Sequence, residues 1–154
     1  MDSGEEFVLL IAGDGPLRDK LEKLVKNLKL QDVVKFMGFR SDIPELLSVF
    51  DIQVIPSLTE GFPLCLAEAM AAKNAVVATQ VGGMKDIGRD GDTVLFVPPK
   101  EPEALAEKIL YLLKDEQLVQ KMAESAALYS EVFDIKHSVK HLEHEYEKLS
   151  RPVQ

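Results

Sequence analysis

The chain has 154 residues, 46% of them hydrophobic, which is enough for one substantial core and too little for two full-sized domains. Eighteen basic residues against 26 acidic ones give a formal charge of −8, a field that repels nucleic-acid backbones and anionic lipid and removes both from the expected partners. The single cysteine, Cys65, cannot close an intramolecular disulfide, the first residues are acidic where a signal peptide is basic, and no apolar run reaches the length of a membrane span; a soluble, cytoplasmic domain is expected.

Short apolar runs alternate with longer amphipathic stretches, the pattern of parallel strands joined by helices. A first strand is predicted over 7–12. A helix follows over 16–28, where Leu17, Leu21, Leu24, Val25 and Leu28 recur at helical spacing and Pro16 suits the first helical position. After a second strand at 33–37, Ser41 and Asp42 precede Pro44 and mark a short helix over 43–50. The third strand, 52–55, ends at Pro56-Ser57, and Pro63 opens a third helix over 64–73. A fourth strand takes 75–78. Gly82, Gly83, Gly88 and Gly91 then leave room only for a short helix around 85–87 before a fifth strand at 94–97. Beyond Pro98 and Pro99, Leu105, Ile109, Leu112 and Leu113 restart the helical spacing, and further helices are predicted over 116–129 and 135–149. All five strands are nearly continuous in apolar residues, as strands covered on both faces are. The fold class is α/β: a doubly wound parallel sheet of about five strands with helices on both faces. A strand-helix core over 7–99 and a helical tail over 100–150 make one domain, 1–154.

Two glycine-rich turns invite a ligand. Gly13-Asp14-Gly15-Pro16-Leu17-Arg18 follows a strand and opens a helix, but Arg18 stands where a dinucleotide fingerprint needs a third glycine for close helix-strand packing, so a tight turn is the better reading. The turn after the third strand is more informative. Gly61 lets a ligand approach the backbone, and the following helix start offers unpaired amides and a positive dipole end at the carboxyl end of a parallel strand. Glu60 in that loop and Glu68 in the helix would repel a phosphate unless they accept hydrogen bonds from hydroxyls, which riboses and sugars supply. Solvated acids at a helix start are the other reading of the two glutamates alone. His137, His141 and His144 share a helical spacing and read as a solvated face rather than a metal site; no metal is expected. Cys65 lies at a helix start that favours thiolate, yet Leu64 and Leu66 beside it point to a packed, structural thiol. Gly82-Gly83 is explained by turn geometry as well as by a ligand.

The run Glu60-Gly-Phe-Pro-Leu-Cys-Leu-Ala-Glu68-Ala-Met70, between a strand ending Pro-Ser and a helix, resembles the E-x7-E signature of the group 1 retaining glycosyltransferases of the GT-B type. Ile11-Ala-Gly-Asp-Gly-Pro-Leu17, Val34-Lys-Phe-Met-Gly-Phe39, Ala75-Val-Val-Ala-Thr79, Val81-Gly-Gly83 and Leu95-Phe-Val-Pro-Pro99 agree with that family in order, over nearly the whole chain. The resemblance implies the donor-binding, carboxyl-terminal domain of an enzyme that moves a hexose from a nucleoside diphosphate sugar to an acceptor with retention. It places Glu68 on the ribose hydroxyls and Glu60 near the donor sugar. The amides of Gly61, Phe62 and Leu64 would face sugar and diphosphate, and Arg40 would flank the nucleobase. No cofactor is implied beyond the donor.

The family's preceding segment, with an Arg and a Lys that neutralise the diphosphate, has no counterpart here, nor has the amino-terminal acceptor domain. Without those cations the electrostatic stabilisation of the leaving group is lost, and transfer by this chain alone is not expected. The absent strand belongs between the first and third strands of this chain. Closure of its neighbours into the order 2-1-3-4-5 is expected, because unpaired central edges expose backbone; a strand lent by a second chain is the alternative. A non-catalytic, self-associating scaffold is the competing function. A flavodoxin-like module would need an acidic phosphorylation cluster or a flavin loop, and the sequence has neither.

Overall fold

The structure, a computed structural model, describes residues 6–150. The chain divides into two compact units, one up to Leu46 and one from Leu47 onward.

In the first unit, β1 (Leu9–Ala12) and β2 (Val34–Gly38) pair in parallel, with Leu9 opposite Val34 and a shift of register after Ile11. The crossover is α1 (Arg18–Asn27). The expectation of strands covered on both faces fails here: β1 has no buried residue, β2 buries only Val34, and α1 buries none. Leu17, Leu21, Leu24 and Leu28 do recur as an apolar stripe, but two strands and one helix are too little material to enclose it, and all four remain exposed. α2 (Ile43–Leu47) closes this part of the chain, three residues shorter than the spacing predicts.

The second unit is built around β4. Its sheet is β3 (Ile52–Ile55), β4 (Ala75–Thr79) and β5 (Leu95–Val97), parallel and in that order. All five residues of β4 are buried. Successive side chains of a strand point to opposite faces, so β4 feeds two cores. Val76 and Ala78 join Leu66 and Met70 of α3 (Leu64–Ala71), Met84 and Ile87 of α4 (Met84–Ile87) and Ile55. Ala75 and Val77 join Leu95 and Val97, Leu112 of α5 (Pro102–Leu113) and Met122 of α6 (Glu116–Ser130). A 3-10 turn (Glu131–Phe133), which the sequence did not announce, brings Phe133 edge-on to Tyr129 at 5.6 Å and leads into α7 (Ile135–Ser150). Helices thus flank parallel strands, with a long helical region at the carboxyl end, as the α/β class requires.

The closed order 2-1-3-4-5 is not formed. The strands make two sheets, β1-β2 and β3-β4-β5, with no ladder between β1 and β3.

Two helices end on left-handed lysines. After α3, Lys73 (φ 61°) donates its N–H to the Met70 carbonyl at 3.1 Å and Asn74 to that of Ala69 at 3.0 Å; after α1, Lys29 (φ 57°) and Leu30 repeat the pattern on Lys26 and Val25. This is the Schellman arrangement, with lysine where glycine is commonest. Relieved of its Cβ at that φ, exposed Lys73→Gly is expected to raise stability by about 0.5–1 kcal/mol, measured as a higher urea midpoint at unchanged slope.

Candidate functional site

At the carboxyl end of β3 the chain leaves the sheet at Pro56 and re-enters a helix at Leu64, and residues 56–63 are fastened on three sides. The Ser57 hydroxyl donates to Glu60 Oε1 at 2.7 Å. The buried Thr79 hydroxyl, at the end of β4, donates to the Ser57 carbonyl. From the far side, Gly82 and Gly83 lie flat against the loop: Gly83 N–H points at the Glu60 carbonyl at 3.4 Å, a Cβ on Gly82 would sit 1.7 Å from that oxygen, and one on Gly83 would sit 2.2 Å from the Gly61 carbonyl. Gly82 also has φ +48°, open to glycine at no steric cost. The glycine pair is therefore more than a turn: it is the surface on which the Glu60 loop rests.

Among the described residues, neither Gly61 N–H nor Phe62 N–H donates to a protein acceptor, and both residues are exposed. The Leu64 amide differs from expectation, since it is bonded to the Phe62 carbonyl at 3.0 Å. Pro63 brings no N–H of its own and stands at the helix cap. The first turn of α3 contains no acid, so the positive end of the helix faces outward uncompensated by its own side chains. Glu68 is exposed one turn further on. Burial pushes the half-buried Cys65 thiol up, and Glu60 and then Glu68 push it further in the same direction, which places both carboxylates around one helix start. The thiol packs on the core beside Leu66 and is structural.

Glu60, Gly61, Phe62, Leu64 and Glu68 thus come together on one loop and one helix. Arg40 belongs to the first unit, just past β2. It is held there by its own neighbour: Nε donates to Asp42 Oδ1 at 2.8 Å and Nη2 to Oδ2, a bidentate pair that raises the arginine and lowers the aspartate. The first glycine-rich turn is held by its own side chains. Asp14 Oδ1 accepts the Gly15 amide at 2.7 Å, and Arg18 donates to Glu22 at 2.9 Å while lying 5.8 Å from the Phe36 ring centre. The Gly15 amide and the Arg18 cation therefore already have partners.

A pocket of about 160 Å³ opens beside the loop, lined by apolar residues from Pro56 to Leu105 together with Thr79 and the charged Lys100 and Glu101. Sites for drug-sized ligands run from about 300 Å³ upward, so this pocket is smaller than such sites. Among the described residues no three metal-ligating side chains come together, and no helix is long and apolar enough to cross a membrane.

Comparison with known proteins gives this geometry a class. Anabaena HepE, solved in complex with UDP, superposes with a TM-score of 0.86 at 26% identity, covering 95% of this chain and 43% of HepE. The carboxyl-terminal domain of the group 1 glycosyl transferase LpcC from Francisella tularensis gives 0.71 at 34% identity, covering 75% of this chain and 61% of that one. The architecture is that of the GT-B glycosyltransferases. Residues 1–129 match the family "Glycosyl transferases group 1", and the chain belongs to it. It is 38% identical over 118 residues to the N-acetyl-alpha-D-glucosaminyl L-malate synthase of Bacillus anthracis, covering 77% of this chain and 31% of the synthase. The alpha-D-kanosaminyltransferase of Streptomyces kanamyceticus is 37% identical over 126 residues, 80% of this chain and 33% of the relative. The chain spans about a third of the length of these two relatives.

Two outcomes check the site. Gly82→Ala is expected to cost about 3 kcal/mol in urea denaturation, from a steric clash and a left-handed φ together, whereas Gly61→Ala, with open space around its Cβ, should cost less than about 1 kcal/mol. Because the thiolate is the reacting form and the Cys65 pKa lies above the ordinary thiol range, alkylation at pH 7.5 should be slower than for a free cysteine peptide, and should still be rising with pH where the peptide has levelled off.

Proposed function

We propose that this chain is the donor-binding domain of a retaining hexosyltransferase, with a nucleoside diphosphate sugar as its ligand. The observation that carries the reading is the pair of unengaged amides, Gly61 and Phe62, at the positive end of α3 between Glu60 and Glu68. A diphosphate is held by backbone N–H groups and a helix dipole without a dedicated cation. Carboxylates beside it are tolerated when they accept hydrogen bonds from hydroxyls. On this reading Glu68 takes the ribose hydroxyls. Glu60, steadied by Ser57, faces the donor sugar. Gly61 and Phe62 bond the diphosphate and sugar oxygens, and Leu64 joins them only by giving up its bond to Phe62. Support also comes from HepE, which has been solved with UDP and with UDP-glucose.

Transfer asks more than binding. The departing nucleoside diphosphate needs positive charge that grows in importance as the glycosidic bond breaks. Since the chain spans about a third of its relatives' length, the reading gives it recognition of the donor and leaves transfer, and the acceptor, to a preceding domain in the cytoplasm. No cofactor takes part.

Calorimetric titration with UDP-, GDP- and ADP-glucose tests this. One of the three should bind, and Glu68→Ala should weaken it by about 1–3 kcal/mol, the worth of a hydrogen bond to a charged group. No heat from any of them at millimolar concentration would remove the donor-binding reading, and unchanged affinity in the variant would remove the ribose role of Glu68. Release of UDP from UDP-glucose by the chain alone, at a rate above the uncatalysed one, would overturn its dependence on a second domain.

A further inference from the structure

Thr79 is a polar residue where the fold asks for an apolar one. It ends β4, the strand Ala75-Val-Val-Ala-Thr79, and is 4% exposed. Valine has the same branched shape and suits such a strand equally well, so packing alone does not account for the hydroxyl. Its single proton has two carbonyls within reach, that of Ile55 at 3.4 Å and that of Ser57, which is nearer and receives it. The ladder between β3 and β4 stops at the pair Ile55 and Ala78. The bond to Ser57 therefore carries the hold of β4 past the ladder, onto chain that has already left the sheet.

Ser57 passes that hold on. Its carbonyl is fixed by Thr79 and its hydroxyl donates to Glu60 Oε1 at 2.7 Å, so one residue is tied to the sheet on one side and to the carboxylate on the other. The Glu60 backbone is located separately, by the Gly82-Gly83 surface. A glutamate side chain turns about several bonds and loses rotamer freedom when it is fixed; here the Ser57 hydroxyl selects its direction. We propose that Thr79 is a positioning residue of this site: acting through Ser57, it sets where the Glu60 carboxylate stands, and it touches no ligand itself. The role of that carboxylate toward a donor sugar rests on the donor-binding reading, whereas the line from Thr79 through Ser57 to Glu60 stands on the hydrogen bonds alone. A merely structural Thr79 would do no more than satisfy the Ser57 carbonyl, and affinity for a ligand would then follow stability. The two roles separate on the methyl and the hydroxyl. Thr79→Val keeps the methyl and loses the donor, and Thr79→Ser keeps the donor and loses a buried methyl.

Calorimetric titration of the 154-residue chain and its variants with UDP-, GDP- and ADP-glucose, beside urea denaturation of each, tests the proposal. Thr79→Val should weaken the donor that binds by about three- to tenfold and Ser57→Ala by a similar factor. The double variant should lose no more than about twofold beyond either, because both changes break one line. Thr79→Ser should return the affinity to within about twofold of the parent chain although it unfolds at lower urea. If Thr79→Val does not fold, Thr79→Ala set against Thr79→Ser gives the same comparison. Crystal structures of the ligand-free parent and of the variant without the hydroxyl should show the bond between Ser57 and Glu60 lost in the variant. Unchanged affinity in Thr79→Val, affinity that follows stability through the series, or factors that multiply in the double variant would each overturn the positioning role. So would an intact bond between Ser57 and Glu60 in the variant crystal. A parent chain that binds none of the three donors removes the donor-binding reading instead, and the crystal structures then decide the positioning role by themselves.

Discussion

All five residues of β4 are shut off from solvent, with a helical layer on each face. Such a strand admits only small or branched apolar side chains along its length, and Ala75-Val-Val-Ala meets that demand. What happens at its two ends then shapes the second unit. At the start, buried Asn74 uses its side-chain amide to hold the Leu47 and Phe50 carbonyls at 2.9 and 2.7 Å, fastening the chain as it enters β3. At the finish, Thr79 holds the Ser57 carbonyl as the chain leaves β3. A buried carbonyl without a donor costs on the order of 1–3 kcal/mol; Asn74 and Thr79 supply donors to carbonyls at the two ends of β3, although the Leu47 carbonyl also accepts the Phe50 N–H at 3.2 Å.

On the proposed donor-binding reading, the net charge of −8 sets the problem that the α3 start has to meet. Long-range attraction for an anion is absent, and what remains is short-range: amides, a helix dipole and their geometry. The absence of acid from the first turn of α3 preserves that dipole. Glu60 and Glu68 lie close by, yet each is placed to accept rather than to cap, Glu60 through its bond from Ser57 and Glu68 from an exposed position one turn along. Membership of the group 1 glycosyltransferases agrees with the α/β architecture.

Local features were legible in the sequence. The third strand, 52–55, has the bounds the apolar run predicts, and α3, α6 and α7 begin at the residues that the proline signal and the helical spacing indicate. β5 starts one residue late because Val94 bridges to Asp90 instead. What the sequence concealed depends on residues far apart. The thin cover of β1 and α1 follows from how few elements that unit has. Turn geometry and a ligand explain Gly82-Gly83 equally well in the sequence; in the fold the pair reaches Glu60 and Gly61, some twenty residues earlier. The Leu64 amide, counted from its helix-start position as an open donor, is turned back by the local geometry after Pro63. In each case composition named the residue and only the three-dimensional path gave it a partner.

The fastening of residues 56–63 also bears on how tightly an anion can be held. A mobile loop must lose its backbone freedom when a ligand orders it, at roughly 1–2 kcal/mol for each residue fixed. Here Ser57, Thr79 and the Gly82-Gly83 surface have already restricted the loop in the folded chain. Folding bears that entropy loss once, and association does not bear it again. A shallow, open site can in this way bind more firmly than its small contact area would suggest, because its donors stand in place before the ligand arrives.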